Sequence, residues 1–179
     1  MNAVTSPSTP LKIRTAIDLD IPEIVRVTNL AFRAESFCVS GERTDAADIR
    51  QRFASGTFFV IDNPADRTRL LGSVYCAVIE GRGYLGLISV EPGARGLGLA
   101  HLLIGAVADR CRERGCSFLD ITVVNAREDL FPLYARFGFA ACDVLPFPVP
   151  EKALRPLLLV KMTKPLQSPA QLTMAMAQT

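Results

Sequence analysis

The chain is poor in metal-binding and disulfide chemistry. It has a single histidine, His101, and its 5 cysteines are scattered, with no Cys-x-x-Cys pair. No His/Cys spacing suits a zinc site, and no metal is expected. An odd, dispersed cysteine set points to reduced thiols in a cytoplasm rather than to a disulfide framework. Charge of one sign is also scarce, with 20 Lys and Arg against 18 Asp and Glu, a net of +2. There is no basic run, and the few aromatics are not interleaved with Lys or Arg. A nucleic-acid surface is therefore not expected. No stretch approaches the roughly 20 apolar residues of a membrane span. The opening MNAVTSPSTP lacks a charged-then-apolar signal pattern. No internal repeat is visible. What is present suffices for one domain: 179 residues, 49% of them hydrophobic, can bury a single core.

The most informative stretch is Tyr84 to Ala100, YLGLISVEPGARGLGLA. An apolar run ends at Val90, a Glu-Pro turn follows, and Arg95-Gly96-Leu97-Gly98-Leu99-Ala100 opens an amphipathic segment. That order predicts a strand, a glycine-rich loop and a helix start. Glycine lets backbone approach a ligand without a Cβ in the way. The unpaired N–H groups of a helix's first turn favour an anion, and a pyrophosphate suits them. Leu99, Leu102, Leu103, Ala106, Val107 and Cys111 fall on one helical face. Gly115 supplies the stop. Phe118 to Val124 then reads as a buried strand.

By itself such a loop is also what a tight strand-to-helix turn looks like. A Walker loop would need Gly-Lys-Ser/Thr, whereas Leu99-Ala100 follows Gly98. A dinucleotide fingerprint would need a small residue where His101 stands, and an acidic residue where the next strand ends in Val124-Asn125. Both fit poorly.

A second segment adds to the first: Asn125 to Phe139, NAREDLFPLYARFGF. With it the chain resembles the GNAT superfamily of acyl-CoA-dependent N-acetyltransferases. Arg95, Gly98 and Ala100 fill the pattern of that family's acetyl-CoA loop. Asn125, Tyr134, Gly138 and Phe139 fill its Asn-to-Tyr helix and the Gly-Phe turn after it. The resemblance covers roughly residues 11 to 164. Residues 1–10 and 165–179 read as flexible tails. Leu172, Met174 and Met176 in the second leave docking on a neighbouring copy, a homodimer, open.

The remaining elements agree with that family's order. A first strand is expected at Ile13-Arg14. A helix starts at Asp18 or Asp20, has Pro22 in its first turn and runs through Phe32. Its apolar face is read as Ile21, Ile24, Val25, Thr28 and Leu30-Ala31. Thr44 or Asp45 caps a second helix that ends near Ser55-Gly56. Strands follow at Thr57–Asp62 and Leu70–Ile79, and a hairpin at Gly81-Arg82-Gly83 leads to Tyr84–Val90. Pro132 sets the restart of a short helix. Strands at Ala140–Val144 and Leu157–Met162 flank a proline-rich connection from Pro146 to Pro156. The expected fold class is α/β: a mixed sheet with helices on both faces.

What the resemblance implies for chemistry is acetyl transfer from acetyl-CoA to a primary amine of a small molecule, by direct attack in a ternary complex. The backbone of Gly96, Leu97, Gly98, Leu99 and Ala100 would hold the pyrophosphate, with the Arg95 guanidinium beside it. A bulge in the strand before the loop, mapped to Ile88, Ser89 and Val90, would expose backbone for the pantetheine arm. The N–H of Val90 or a neighbour would meet the oxyanion. Asn125 reads as a helix cap and, by resemblance, a pantetheine contact. The Tyr134 hydroxyl would donate to the departing thiolate. Arg127 reads as a first-turn arginine, solvated or reaching the 3′-phosphate.

The base is not legible. Tyr84 and Gly86 stand where some relatives carry a glutamate, and Glu35, Glu80, Glu91 and Asp120 are the acidic alternatives, with a water relay equally open. Asp120 reads first as a satisfied structural carboxylate, and His101 as a cofactor-rim residue. Glu35, Glu80 and Tyr84 are the candidate acceptor contacts. A non-catalytic acyl-CoA-binding module on the same fold is the other reading.

Overall fold

The computed structural model describes residues 11–167; the two tails read from the sequence, and with them the homodimer contact, lie outside or at the margin of that range. Seven strands form one sheet in the order β1-β2-β3-β4-β5-β7-β6. They are β1 (Ile13–Thr15), β2 (Thr57–Asn63), β3 (Asp66–Ile79), β4 (Arg82–Val90), β5 (Phe118–Val124), β6 (Ala140–Pro146) and β7 (Leu158–Pro165). All neighbours are antiparallel except β4 and β5, which run parallel. The helices are α1 (Ile21–Phe32), α2 (Ala46–Ser55), α3 (Leu99–Glu113) and α4 (Leu130–Arg136).

Strand alternation builds two cores. On one face Phe58 and Val60 of β2 and Tyr75 and Ala77 of β3 pack against α1 and α2 through Ile21, Ile24 and Ile49. On the other face Ile61, Val74 and Cys76 meet α3 through Leu99, Leu103, Val107 and Cys111. Tyr134 and Phe139 close the same face next to β5.

Local chemistry explains most boundaries. Asp45, not Thr44, caps α2, its carboxylate accepting from the N–H groups of Ala47 and Asp48 at 2.8 and 2.9 Å. The hairpin between β3 and β4 turns at Glu80-Gly81, one residue earlier than the sequence suggests, because both residues take positive φ, 49° and 74°. Gly83 thereby lies within β4. Its glycine serves packing: a Cβ there would collide with the Cys111 thiol of α3.

Two helix faces differ from the periodic reading. On α1 the fully buried positions are Ile24 and Val27, with Ile21 and Thr28, while Val25 is only partly covered. On α3 Leu102 is 39% exposed, and Ile104 and Ala108 complete the buried stripe in place of Leu102 and Ala106. A stripe drawn from residue identity misplaces positions near its edge, since the sheet twists under the helix. β7 runs to Pro165, past the expected Met162, because it pairs with β5 along its whole length. No helix among the described residues is long and apolar enough to cross a membrane.

Candidate active site

The sheet opens in its middle. β4 pairs with β5 only at Gly83↔Leu119 and Tyr84↔Asp120. β5 meanwhile stays with β7 to Val124↔Leu159. β4 leaves because of a bulge. Its register with β3 jumps between Ser73↔Ser89 and Tyr75↔Gly86, so Val74 faces both Leu87 and Ile88. Leu87 sits at φ 47°, a left-handed conformation that an L side chain adopts only under strain. Ser89 holds the bulge in place, its hydroxyl donating to the Leu87 carbonyl at 2.9 Å.

The bulge turns backbone polar groups toward the opening. Glu91 N–H donates to the Leu71 carbonyl at 2.8 Å. Val90, one residue earlier and opposite Gly72, is then a non-hydrogen-bonded pair on that side. Its N–H points away from β3, into the gap.

At the mouth of the gap lies the glycine loop. Gly96 and Gly98 have φ of 82° and 75°, which favour glycine. Gly98 is the N-cap of α3 and offers no capping side chain. The first helical bond there runs from Leu102 N–H to the Gly98 carbonyl at 3.2 Å. The amides of Leu99, Ala100 and His101 precede it and point out of a helix 15 residues long. These donors fit an anionic group such as a pyrophosphate.

Gap and loop together form a cleft of about 620 Å³. Tyr134 of α4 lines it, buried, its ring edge-on to Phe139 with centroids 5.9 Å apart. Burial pushes its hydroxyl up to about 12. Tyr84 reaches across the gap, its hydroxyl 3.5 Å from Thr122 Oγ1 of β5. His101 stands at the rim, its ring 5.7 Å from that of Phe137.

Glu35 enters from the far side, on the short turn Arg33–Glu35 that continues α1. Its residue is 8% exposed, and burial raises its carboxyl above the usual range, against the pull of Arg43 and Arg127. Arg127, far from being a solvated first-turn arginine, has a side chain only 15% exposed. Its guanidinium grips Asp129 with two bonds of 2.9 Å and lies 3.6 Å from Glu35. Arg43 lies over the Phe32 ring at 5.0 Å. Asn29 sets that loop by accepting from the N–H groups of Arg43 and Thr44 at 3.0 Å each.

Of the residues singled out from the sequence, the cleft gathers Ile88, Val90, Arg95, Gly96, Gly98, Leu99, Ala100, Tyr134, Glu35 and Tyr84. Leu97 belongs to the same loop with an exposed side chain. Three residues fall elsewhere. Ser89 is buried under the bulge. Asn125 caps no helix; its side-chain oxygen accepts from Leu158 N–H at 3.1 Å, and its own N–H donates to the Leu158 carbonyl at 2.9 Å. It splints β5 to the start of β7. Glu80 is exposed at the hairpin tip, away from the cleft.

The other acidic alternatives are occupied. Asp120 accepts from Arg82 at 2.6 and 2.7 Å, with Lys161 at 3.2 Å, which holds its carboxyl down at about 2. Glu91 pairs with Arg26 at 2.6 Å. Phe32 and Arg43, the two ends of the loop from which the sequence leads one to expect substrate specificity, line the cleft; Thr122 of β5 also does, and no motif marks it. Among the described residues, no group of His, Cys, Asp or Glu is placed to hold a metal ion.

Comparison with known proteins follows the same lines. A model of the acetyltransferase (GNAT) family matches residues 24–139. Streptothricin acetyltransferase of Streptomyces lavendulae is 42% identical over 57 residues, a stretch covering 32% of this chain and 30% of that protein. The match thus spans under a third of the curated relative. The crystal structure of nourseothricin acetyltransferase superposes with a TM-score of 0.70 at 19% identity, covering 89% of this chain and 100% of that one. The ribosomal-protein-S18-alanine N-acetyltransferase of Escherichia coli gives 0.68 at 15%, covering 89% and 96%. Structural likeness at such identities speaks for the fold. The family match is broader in meaning: it takes in most of α1, the bulged β4, the glycine loop and the Tyr134 helix, more than half of the sequence. The chain belongs to the acetyltransferase (GNAT) family.

Proposed function

We propose that the chain is an N-acetyltransferase that moves the acetyl group of acetyl-CoA to a primary amine of a small molecule, by direct attack with both substrates bound. The observation that carries this reading is the gap between β4 and β5 with an anion-ready helix start at its mouth. Family membership supports acetyl-CoA as the donor. The amides around Gly96–Ala100 receive the pyrophosphate, and Arg95 adds charge beside them. The arm that follows enters the gap and pairs with the free edge of β4 as an added strand would.

The thioester carbonyl then comes to the Val90 N–H, which is aimed into the gap and donates to the oxyanion as it forms. The C–N bond forms, the C–S bond breaks, and the sulfur leaves with an electron pair. Tyr134 donates its hydroxyl proton toward that sulfur. Its raised pKa keeps the phenol neutral, and so a donor, at physiological pH. Ser89 and Asn125 act at one remove: the first holds the bulge, the second ties the end of β5 to the start of β7.

The acceptor side is lined by Glu35, Tyr84, Arg43 and Phe32. A partial match to an enzyme named for streptothricin, and a fold shared with one named for nourseothricin, make streptothricin the first acceptor to try. The scattered cysteines agree with work in a reducing cytoplasm. Calorimetric titration with acetyl-CoA, with NADH beside it, tests the reading. Micromolar binding of acetyl-CoA alone, followed by thiol release on adding amine, is expected. Absence of acetyl-CoA binding removes the reading. Binding without transfer to any amine leaves the acyl-CoA-binding module.

A further inference from the structure

Acetyl transfer to an amine needs a place for a proton, because an alkylammonium with a pKa of about 10.4 has no free lone pair at neutral pH. Resting on the acetyltransferase reading, we propose that the Glu35 carboxylate meets the acceptor's ammonium group and removes that proton.

Position comes first. The cleft holds two carboxylates, Glu35 and Asp129. Asp129 is engaged by both arms of the Arg127 guanidinium and its side chain is 64% exposed. Glu35 is the reverse case. Its side chain is 11% exposed, and the nearest cation, Arg127, stands at 3.6 Å, beyond hydrogen-bond length. Its carboxylate therefore keeps acceptor capacity facing the cleft. Its backbone is fixed: the Glu35 carbonyl accepts from the N–H groups of Cys38 and Val39 at 2.9 Å each, and from the Cys38 thiol at 3.3 Å. The pair with Arg127 is long, at 3.6 Å, so the carboxylate's lone pairs stay available to a donor in the cleft.

The charges around it suit the task. Arg43 approaches from the loop before α2, Arg127 and Asp129 from the segment after β5, Tyr134 from α4 and the Cys38 thiol from its own loop. Burial outweighs the two arginines and raises the carboxyl above its ordinary value, which makes the carboxylate a stronger base than a solvated one. The Glu35 charge helps hold the Tyr134 hydroxyl protonated, and both side chains line one cavity. The protons balance. One passes from the ammonium nitrogen to Glu35 and goes to solvent when product leaves. The second nitrogen proton, lost after the C–N bond forms, replaces the one that Tyr134 gives to sulfur.

The test compares the wild-type chain with Glu35→Gln and Glu35→Asp. Acetyl-CoA is the donor; streptothricin, spermidine and L-lysine are the acceptors. Thiol release is followed from pH 5.5 to 9, with acetyl-CoA affinity measured by calorimetry. Glu35→Gln is expected to keep acetyl-CoA affinity within threefold and to lose kcat by about 100-fold or more near pH 7. Its activity should climb roughly tenfold per pH unit as the amine deprotonates unaided. Glu35→Asp should regain part of kcat, with the acid limb restored. Unchanged kcat in Glu35→Gln overturns the inference while the acetyltransferase reading stands. So does a loss confined to KM with the wild-type pH profile, which would make Glu35 an anchor only. A wild-type chain that releases no thiol with any of the three amines overturns the acetyltransferase reading and this inference together.

Discussion

Burial holds the Tyr134 hydroxyl up at about 12, so the phenol stays protonated across the working pH range and stands ready to donate toward the charge that develops on a leaving sulfur. That is the physical case for Tyr134. Tyr134→Phe keeps the ring, and with it the edge-on packing against Phe139. Acetyl-CoA affinity should hold while kcat drops roughly 100-fold, read by calorimetry beside thiol release. Equal turnover would remove the acid role. Single residues differed widely in how far the sequence exposed them. Tyr134 and Gly98 stand inside the two motifs that carry the family resemblance, and it is the resemblance that names them. Asn125 also stands in a motif, yet its side chain turned out to splint β7, a partner 33 residues away that no local pattern announces. Glu35 and Arg43 stood among several equivalent charged loop residues. Only the fold separates Glu35, aimed into a cavity, from Glu80, exposed at a turn.

At the scale of elements, the start of α3 presents a row of uncapped backbone donors, the surface proposed for the pyrophosphate. Gly98 sits at φ 75° and anchors that surface. Gly98→Glu should abolish acetyl-CoA binding in calorimetry, by strain in the loop and by a like charge set against phosphates. Its circular dichroism should stay that of the wild type, since nothing lies within 4 Å of the Cβ position. Undiminished affinity would refute the loop's role. The bounds of β5 and the helix after the glycines were legible, because apolar periodicity and glycine stops are local signals. The hinge that opens the sheet was not. The family resemblance placed a bulge over Ile88–Val90; the two residues opposite Val74 are Leu87 and Ile88, and the bend falls on Leu87, a residue whose type disfavours positive φ. Tertiary packing imposes that conformation, with Leu85 on one core and Leu87 already on the other.

At the scale of the whole molecule, two carboxylates act on stability in opposite senses. Asp120, clamped by Arg82 and Lys161, is lowered from 3.8 to about 2. Its contribution is complete above the unfolded value of 3.8 and is lost as pH falls through about 2. Urea midpoints measured from pH 7 to pH 2 should show that loss between about pH 4 and 2. Asp120→Asn should flatten it and cost roughly 2 kcal/mol at pH 7. Glu35 runs the other way. Its raised carboxyl favours the folded state when protonated, so its charge burdens the fold increasingly as pH rises.

The gap beside β4 also reaches into a property of the resting protein, the rate at which its amides trade hydrogen for deuterium. Val90 lies on a strand with neighbours on both sides in the sheet order, where slow exchange is the rule. Its N–H nevertheless faces the opening, while the adjacent Glu91 N–H is bonded to Leu71. In deuterated buffer Val90 should label quickly, like an amide at the margin of a sheet, and Glu91 slowly. Equal protection at both would show that β4 and β5 close on each other in solution. With acetyl-CoA added, Val90 is the amide whose labelling should slow most, so the seam in the middle of the sheet becomes a residue-level clock for occupancy.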